Sequence, residues 1–326
     1  MRMVEHGRRG RNGILVKVRR SKERVTIVGA PKEVSPAQTD KLISRGVPLA
    51  PHTSLRVGGP ARFYVCPTNG TQLATAITWA TVNRSPYYVL GGGTNILFTD
   101  SGFDGLILHT ARLRGLCVDG VTLRAAAGEA LSAAVWAACR AGLTGLEWAC
   151  GIPGTVGGAV VMNAGTEEGE TASVLQRVTI HGPRGEERVP TAALALGYRT
   201  SALLTGDLSS VITEVEFTLR RDDPDACTTR ARRTMAERID RLPAGASVGC
   251  IFRNPPEGPT AGQLLDRSGC KKLRVGGAYV SDEHANVIVN ERAANAGEIL
   301  ELIERMKFRV RDAYGIDLHE EVVIIH

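Results

Sequence analysis

Three consecutive glycines, Gly91, Gly92 and Gly93, followed by Thr94 and Asn95, stand directly after the apolar run 87–90. With no Cβ atoms, such a stretch can turn its backbone N–H groups into a concave nest and approach an anion closely. That is the outline of a pyrophosphate cradle, and a tight hairpin turn would use the same residues. It is not the dinucleotide fingerprint G-x-G-x-x-G, because Ile96 takes the place of the third glycine and a strand, not a helix, is expected to follow. A second stretch, residues 151–159, sets Pro153 where a first helical turn tolerates proline and aligns Gly154, Gly157 and Gly158 along one face, with Thr155 among them. A helix start of this kind can sit against a ligand or against another backbone. Two glycine-rich segments, each joined to a strand or helix terminus, point together to a long dinucleotide such as FAD, whose two phosphates and two ring systems need several backbone contacts. No G-x-x-x-x-G-K-[ST] or H-E-x-x-H occurs, so nothing supports a P-loop nucleotidase or a zinc enzyme. The seven cysteines are odd in number and lack C-x-x-C spacing, which argues against a disulfide framework; no metal site is expected.

The elements that must position these segments follow from periodicity. Alternation predicts a strand over 61–65, and Leu73, Ile77 and Ala80 fall at helical spacing after it. A strand over 106–108 follows the turn at 100–102. Leu131, Val135, Ala138 and Cys139 predict a helix that Gly142 follows. Strands are expected over 178–180 and 211–219, then a charged helix from Thr228 to about Arg241 that bridges to a second domain. Beyond it come a strand over 287–289 and an amphipathic helix with Ile299, Leu302, Ile303, Met306 and Val310 on one face, opened by Asn295 with Glu298 three residues on. Residues 319–325 read as a final strand. The expected division is a basic N-terminal extension over 1–34, a cofactor domain over 35–225 and a smaller unit over 226–326.

At 326 residues, 43% apolar and 23% charged, the chain can bury a sizeable core. It has no uncharged apolar run of about 18 residues and no secretory h-region, so it is expected in the cytoplasm, away from membranes. Much of its net charge of +6 sits between Arg8 and Arg24. No aromatic residue interleaves those cations as base stacking would require, so they read as a solvated extension and no nucleic-acid partner is expected.

Taken together, TSLRVGGPARFYV, VLGGGTNIL, GIPGTVGGAVVMNAG, GYRTS, GCIFRNP, AGQLLD, SDEHANVIVN and the closing EEVVII stand in the order and spacing of the UDP-N-acetylenolpyruvoylglucosamine reductases. Over about residues 50–326 the chain resembles that family. The resemblance implies an α+β fold: an FAD-binding domain of the vanillyl-alcohol-oxidase type and a smaller C-terminal α+β substrate domain, in the shorter subtype that lacks an extra tyrosine-bearing loop. It implies FAD as cofactor, NADPH as hydride donor and a UDP-sugar enolpyruvyl ether as substrate, handled by a monomer or weak oligomer. Another FAD-linked oxidoreductase of the same fold would share the glycine segments but not GCIFRNP, HANVIVN or the terminal glutamate.

Residue by residue, the resemblance assigns the cofactor to Gly91, Gly92, Gly93, Thr94 and Asn95, to Gly154, Thr155, Gly157 and Gly158, and to Asn163, Ala164 and Gly165. Arg199 matches the arginine that holds the substrate carboxylate, and Glu321 the acid that partners it. Strand alternation sends Glu320 to the opposite face. Most relatives carry serine where Cys250 follows Gly249; a thiol of ordinary pKa near about 8.5 is still mostly protonated at neutrality and can deliver a proton to carbon. Asn254 and Asn286 match substrate-binding positions, and Tyr198, Arg238 and Arg253 could meet the UDP phosphates. Gln263 and His284 lie in matching segments with no assigned role.

Overall fold

The computed structural model describes residues 42–182, 185–206 and 210–326; the basic stretch 1–34 lies outside them. In the first unit the strands run in the order Ser44–Pro48, Pro60–Val65, Phe103–His109, Tyr87–Leu90. The last two pairs are parallel and the first is antiparallel. Asn69 caps the helix Gly70–Val82 by accepting from the Gln72 N–H, and that helix lays Leu73, Ala76 and Ala80 on Phe63, Val65, Leu106 and Leu108. This packing delivers Leu90 to the sheet's edge, where the glycines begin.

The second unit is a five-stranded antiparallel sheet, ordered 185–190, 175–182, 211–218, 122–126, 116–119. Helices Leu131–Arg140 and Val156–Val161 cover it. The second glycine segment differs from expectation in one respect. Its helix starts at Val156 with Thr155 as the cap, accepting from the Gly158 N–H, so Pro153 lies ahead of the helix and not in its first turn. The charged helix also begins earlier than expected, at Pro224, because Asp223 caps it. Its Cys227 and Ala231 are buried in the core of the second unit. This helix therefore packs with the residues before it, and the expected division at residue 225 falls at its first turn.

The third unit joins the small sheet 274–275, 278–280, 288–290 to helices Ala261–Arg267 and Ala296–Tyr314. The long helix carries the expected capping box of Asn295 and Glu298 and ends on left-handed Gly315. Leu55, Val57 and Leu97 from the first unit belong to its core. Both carboxylate oxygens of Asp100, in the turn after the strand Ile96–Phe98, accept from the first N–H groups of the long helix, at 2.9 and 3.0 Å.

The C-terminal segment completes the join. Only Val323–Ile325 forms a strand, parallel to Ile96–Phe98. The residues ahead of it pair instead with 250–253: Arg253 N–H donates to the His319 carbonyl, Phe252 bridges Glu320, and Glu321 N–H donates to the Ile251 carbonyl at 2.7 Å. One continuous segment thus runs from beside Cys250 to beside the strand that leaves the glycine loop. No described helix is long and apolar enough to cross a membrane.

Candidate active site

The glycine loop has its carbonyls pinned on one side. Gly93 is held by the Ser54 N–H at 2.9 Å, and the Gly93 backbone sits at φ 64° against the His52 carbonyl. Among the described residues, the N–H groups of Gly92, Gly93 and Thr94 donate to no acceptor, although Gly93 is buried. A buried N–H group is almost always paired, so the unpaired N–H of Gly93, flanked by those of Gly92 and Thr94, has the form of an anion nest. The second segment closes against it. A Cβ on Gly91 would stand 2.7 Å from Thr155 Oγ1, one on Gly92 would stand 3.0 Å from Gly154 Cα, and Thr94 Oγ1 donates to the Pro153 carbonyl at 3.3 Å.

Gly157 and Gly158 have a different use. Gly157 N–H donates to the Ala127 carbonyl at 2.9 Å, and Gly158 N–H to Thr155 Oγ1 at 3.2 Å. The missing Cβ of Gly157 lets the short helix press on Ala127, where a Cβ would stand 2.9 Å from that of Ala127. Asn163 is 1% exposed, and its side chain is wholly taken up inside the protein: Nδ2 donates to Glu170 and to the Gly197 carbonyl, and Oδ1 accepts from Ala172. Ala164 offers its carbonyl to Thr171, while Gly165 packs on Glu170.

These contacts build the arginine turn. Gly197 and Thr200 exchange backbone hydrogen bonds, Ser201 Oγ donates to the Val161 carbonyl at 2.7 Å, and Arg199 is held at φ 54°. A left-handed backbone at a residue with a Cβ costs about 1–2 kcal/mol and persists only where its surroundings enforce it. The result is that Arg199 Nε donates to Glu321 Oε1 at 2.9 Å and Nη2 to the Gly165 carbonyl at 2.7 Å. Glu321 is fixed from the other side, since Asn95 Nδ2 donates to its carbonyl at 3.1 Å. Cys250 stands beside this pair on the neighbouring extended segment, bridging Val287.

The electrostatics follow from burial and charge. Burial first, then the Glu321 carboxylate, pushes the Cys250 thiol up to about 11, against the opposing pull of Arg199 and an Asn286 hydrogen bond. Burial raises Glu321 too, while Arg199 and Arg253 pull it down. Arg253 Nε is buried with no partner among the described residues. Two guanidinium groups thus face one carboxylate and leave a cation for an incoming anion.

The remaining candidates divide. Asn286 is 2% exposed and clamps the Phe252 backbone through both ends of its amide, at 2.9 and 2.8 Å, directly behind Cys250. Asn254 Oδ1 accepts from Ala261 at the start of a helix. Tyr198 is exposed, with the Arg199 guanidinium 5.2 Å over its ring. Arg238 donates to the Cys150 and Trp148 carbonyls, which ties the helix 224–241 to the start of the second glycine segment. A cavity of about 540 Å³ against Glu147 and Arg230 lies apart from all of these and is lined by none of them.

Comparison with known proteins addresses the same two regions. Residues 61–189 match the FAD binding domain family, and residues 240–325 match the C-terminal domain of UDP-N-acetylenolpyruvoylglucosamine reductase. The reductase of Synechococcus elongatus is 40% identical over 285 residues, covering 87% of this chain and 94% of the relative. That of Chlamydia trachomatis is 39% identical, covering 87% and 96%. The chain belongs to the UDP-N-acetylenolpyruvoylglucosamine reductase family. The crystal structure of the reductase from Thermus caldophilus superposes with a TM-score of 0.75 at 35% identity, covering 87% of this chain and 98% of that one.

As a member of this reductase family the chain has the expected α+β architecture, an FAD-binding domain followed by a smaller C-terminal domain, and FAD is its cofactor. The residues present fit that group: an unpaired N–H nest, a wall of glycines with no room for side chains, and the buried Ser54 Oγ, which has no partner among the described residues. Ser54 was not legible as a site residue. It lies in TSLRVGG, but only the fold brings it under Gly93.

Proposed function

We propose that this protein reduces the enolpyruvyl double bond of UDP-N-acetylglucosamine enolpyruvate to give UDP-N-acetylmuramate, a step of peptidoglycan precursor synthesis that uses NADPH as hydride source. The observation that carries the reading is the meeting of Cys250, Arg199 and Glu321 on the one segment that also reaches the glycine loop through Asn95. Bound FAD would accept hydride from NADPH and deliver it to one carbon of the substrate double bond.

The chain's own residues supply the rest. As hydride adds to one carbon, charge builds on the carbon beside the carboxylate and is shared with that carboxylate. The cationic excess of Arg199 and Arg253 over Glu321 meets it, and a fixed cation in a water-poor site is worth far more than one in bulk water. The raised thiol of Cys250 is protonated at neutral pH, so it can place its proton on the carbanion. Asn286 holds the Cys250 strand in place, and Tyr198, Asn254 and Arg238 line the approach on which the nucleotide of the substrate would lie. Substrate binding is shared between residues 226–326 and Tyr198 and Arg199 of the unit before them. The reactants are small molecules, and the reading has the enzyme act on them in the cytoplasm as a monomer or weak oligomer.

The test is an anaerobic pair of half-reactions on the FAD-loaded protein. NADPH should bleach the flavin absorbance, and the enolpyruvyl UDP-sugar alone should restore it. Bleaching without recovery on that substrate removes the substrate from the proposal.

A further inference from the structure

The strands beneath the glycine loop carry titratable side chains that this reaction does not use. Tyr64 and His109, on the neighbouring strands Pro60–Val65 and Phe103–His109, meet at 2.5 Å between the phenol oxygen and Nδ1. His52 stacks on Tyr64 with ring centroids 5.0 Å apart and meets His109 edge-on at 5.2 Å. Burial pushes Tyr64 up to about 12, and burial, followed by the neighbouring His52, pushes His109 down to about 4. At neutral pH the phenol therefore keeps its proton and the imidazole is neutral with a single N–H. A neutral phenol and a neutral imidazole can bond in either sense, and an acceptor elsewhere for the ring's single N–H assigns Nδ1 as the acceptor from Tyr64 and Nε2–H as the ring's donor. The Gly91 backbone hydrogen-bonds to this ring in the sense that favours its protonated form, which identifies the Gly91 carbonyl as the acceptor.

The consequence follows from the planarity of the peptide. In a trans peptide the C=O of one residue and the N–H of the next point in opposite directions. A Gly91 carbonyl drawn down onto His109 aims the Gly92 N–H away from the sheet, just as the Ser54 bond to the Gly93 carbonyl aims the Thr94 N–H. We propose that Tyr64 and His109 are positioning residues for the cofactor: they orient the first peptide of the glycine loop so that its N–H groups converge on the FAD phosphates. The inference rests on the FAD assignment but not on the identity of the substrate.

The test is FAD affinity of the apo-protein, followed by quenching of flavin fluorescence, beside the thermal melting of the same apo-proteins. Tyr64→Phe removes one hydrogen bond and should weaken FAD binding about 3- to 10-fold; His109→Leu should weaken it about 10- to 100-fold, and neither should lower apo melting comparably. His109→Gln, which can still accept from Tyr64 and donate to Gly91, should recover most of the loss. Unchanged affinity in His109→Leu overturns the proposal. So does a His109→Gln loss as large as that of leucine, or affinity losses in both Tyr64→Phe and His109→Leu that track lower apo stability. Wild-type apo-protein that binds no FAD would sink the cofactor assignment and this inference together.

Discussion

The two glycine-rich segments look alike as text and differ in use. In the first segment the Gly93 and Asn95 carbonyls are held while, among the described residues, the N–H groups of Gly92, Gly93 and Thr94 donate to no acceptor; in residues 156–158 the N–H groups are already bonded to Glu129, Ala127 and Thr155. The first is shaped for a ligand, and the second for contact between a helix, a sheet and the first loop. Glycine count alone does not separate a cradle from a packing surface; the fate of the N–H groups does.

Substitutions should separate the two. The largest effect is expected for Gly93→Ala. Its Cβ would stand 2.0 Å from the His52 carbonyl oxygen at φ 64°, so the loop must move. FAD affinity measured by fluorescence titration should fall by at least about 100-fold, since backbone overlap and left-handed strain each exceed 1 kcal/mol. Gly157→Ala comes next, with its Cβ 2.9 Å from that of Ala127. Overpacking of about 1–3 kcal/mol should appear as a lower melting temperature of the apo-protein, with FAD affinity changed less than in Gly93→Ala. Gly158→Ala should matter least. Its nearest neighbour is Thr155 Oγ1 at 3.3 Å, and urea unfolding should stay within about 1 kcal/mol of wild type as helix propensity offsets crowding. An FAD loss in Gly157→Ala as large as in Gly93→Ala would make the second segment a ligand site as well.

The sequence was most legible where the signal is local. The Asn295–Glu298 capping box and the apolar face of the last helix are set by residues within one or two turns, and both form as read. The start of the helix at Pro224 was misplaced because Asp223 and Pro224 lie ahead of the periodic residues. Arg199 and Glu321 lie 122 residues apart in sequence, and no periodicity links them; the family motifs brought them together on paper, and the pairing of 319–325 with two separate segments does so in space. Asn163 shows the limit of motif transfer, since its side chain braces the arginine turn rather than facing the cradle. Tyr64 and His109 carried no signal at all, because strand alternation marks a side as buried without saying what lies above it.

The most direct measurement follows the two half-reactions by stopped flow in Cys250→Ala and Cys250→Ser. If the thiol supplies the proton, bleaching by NADPH proceeds at the wild-type rate in both. Recovery on the enolpyruvyl sugar then slows by about 100-fold or more in the alanine protein and is retained in the serine protein. Recovery at the wild-type rate in Cys250→Ala would contradict the account.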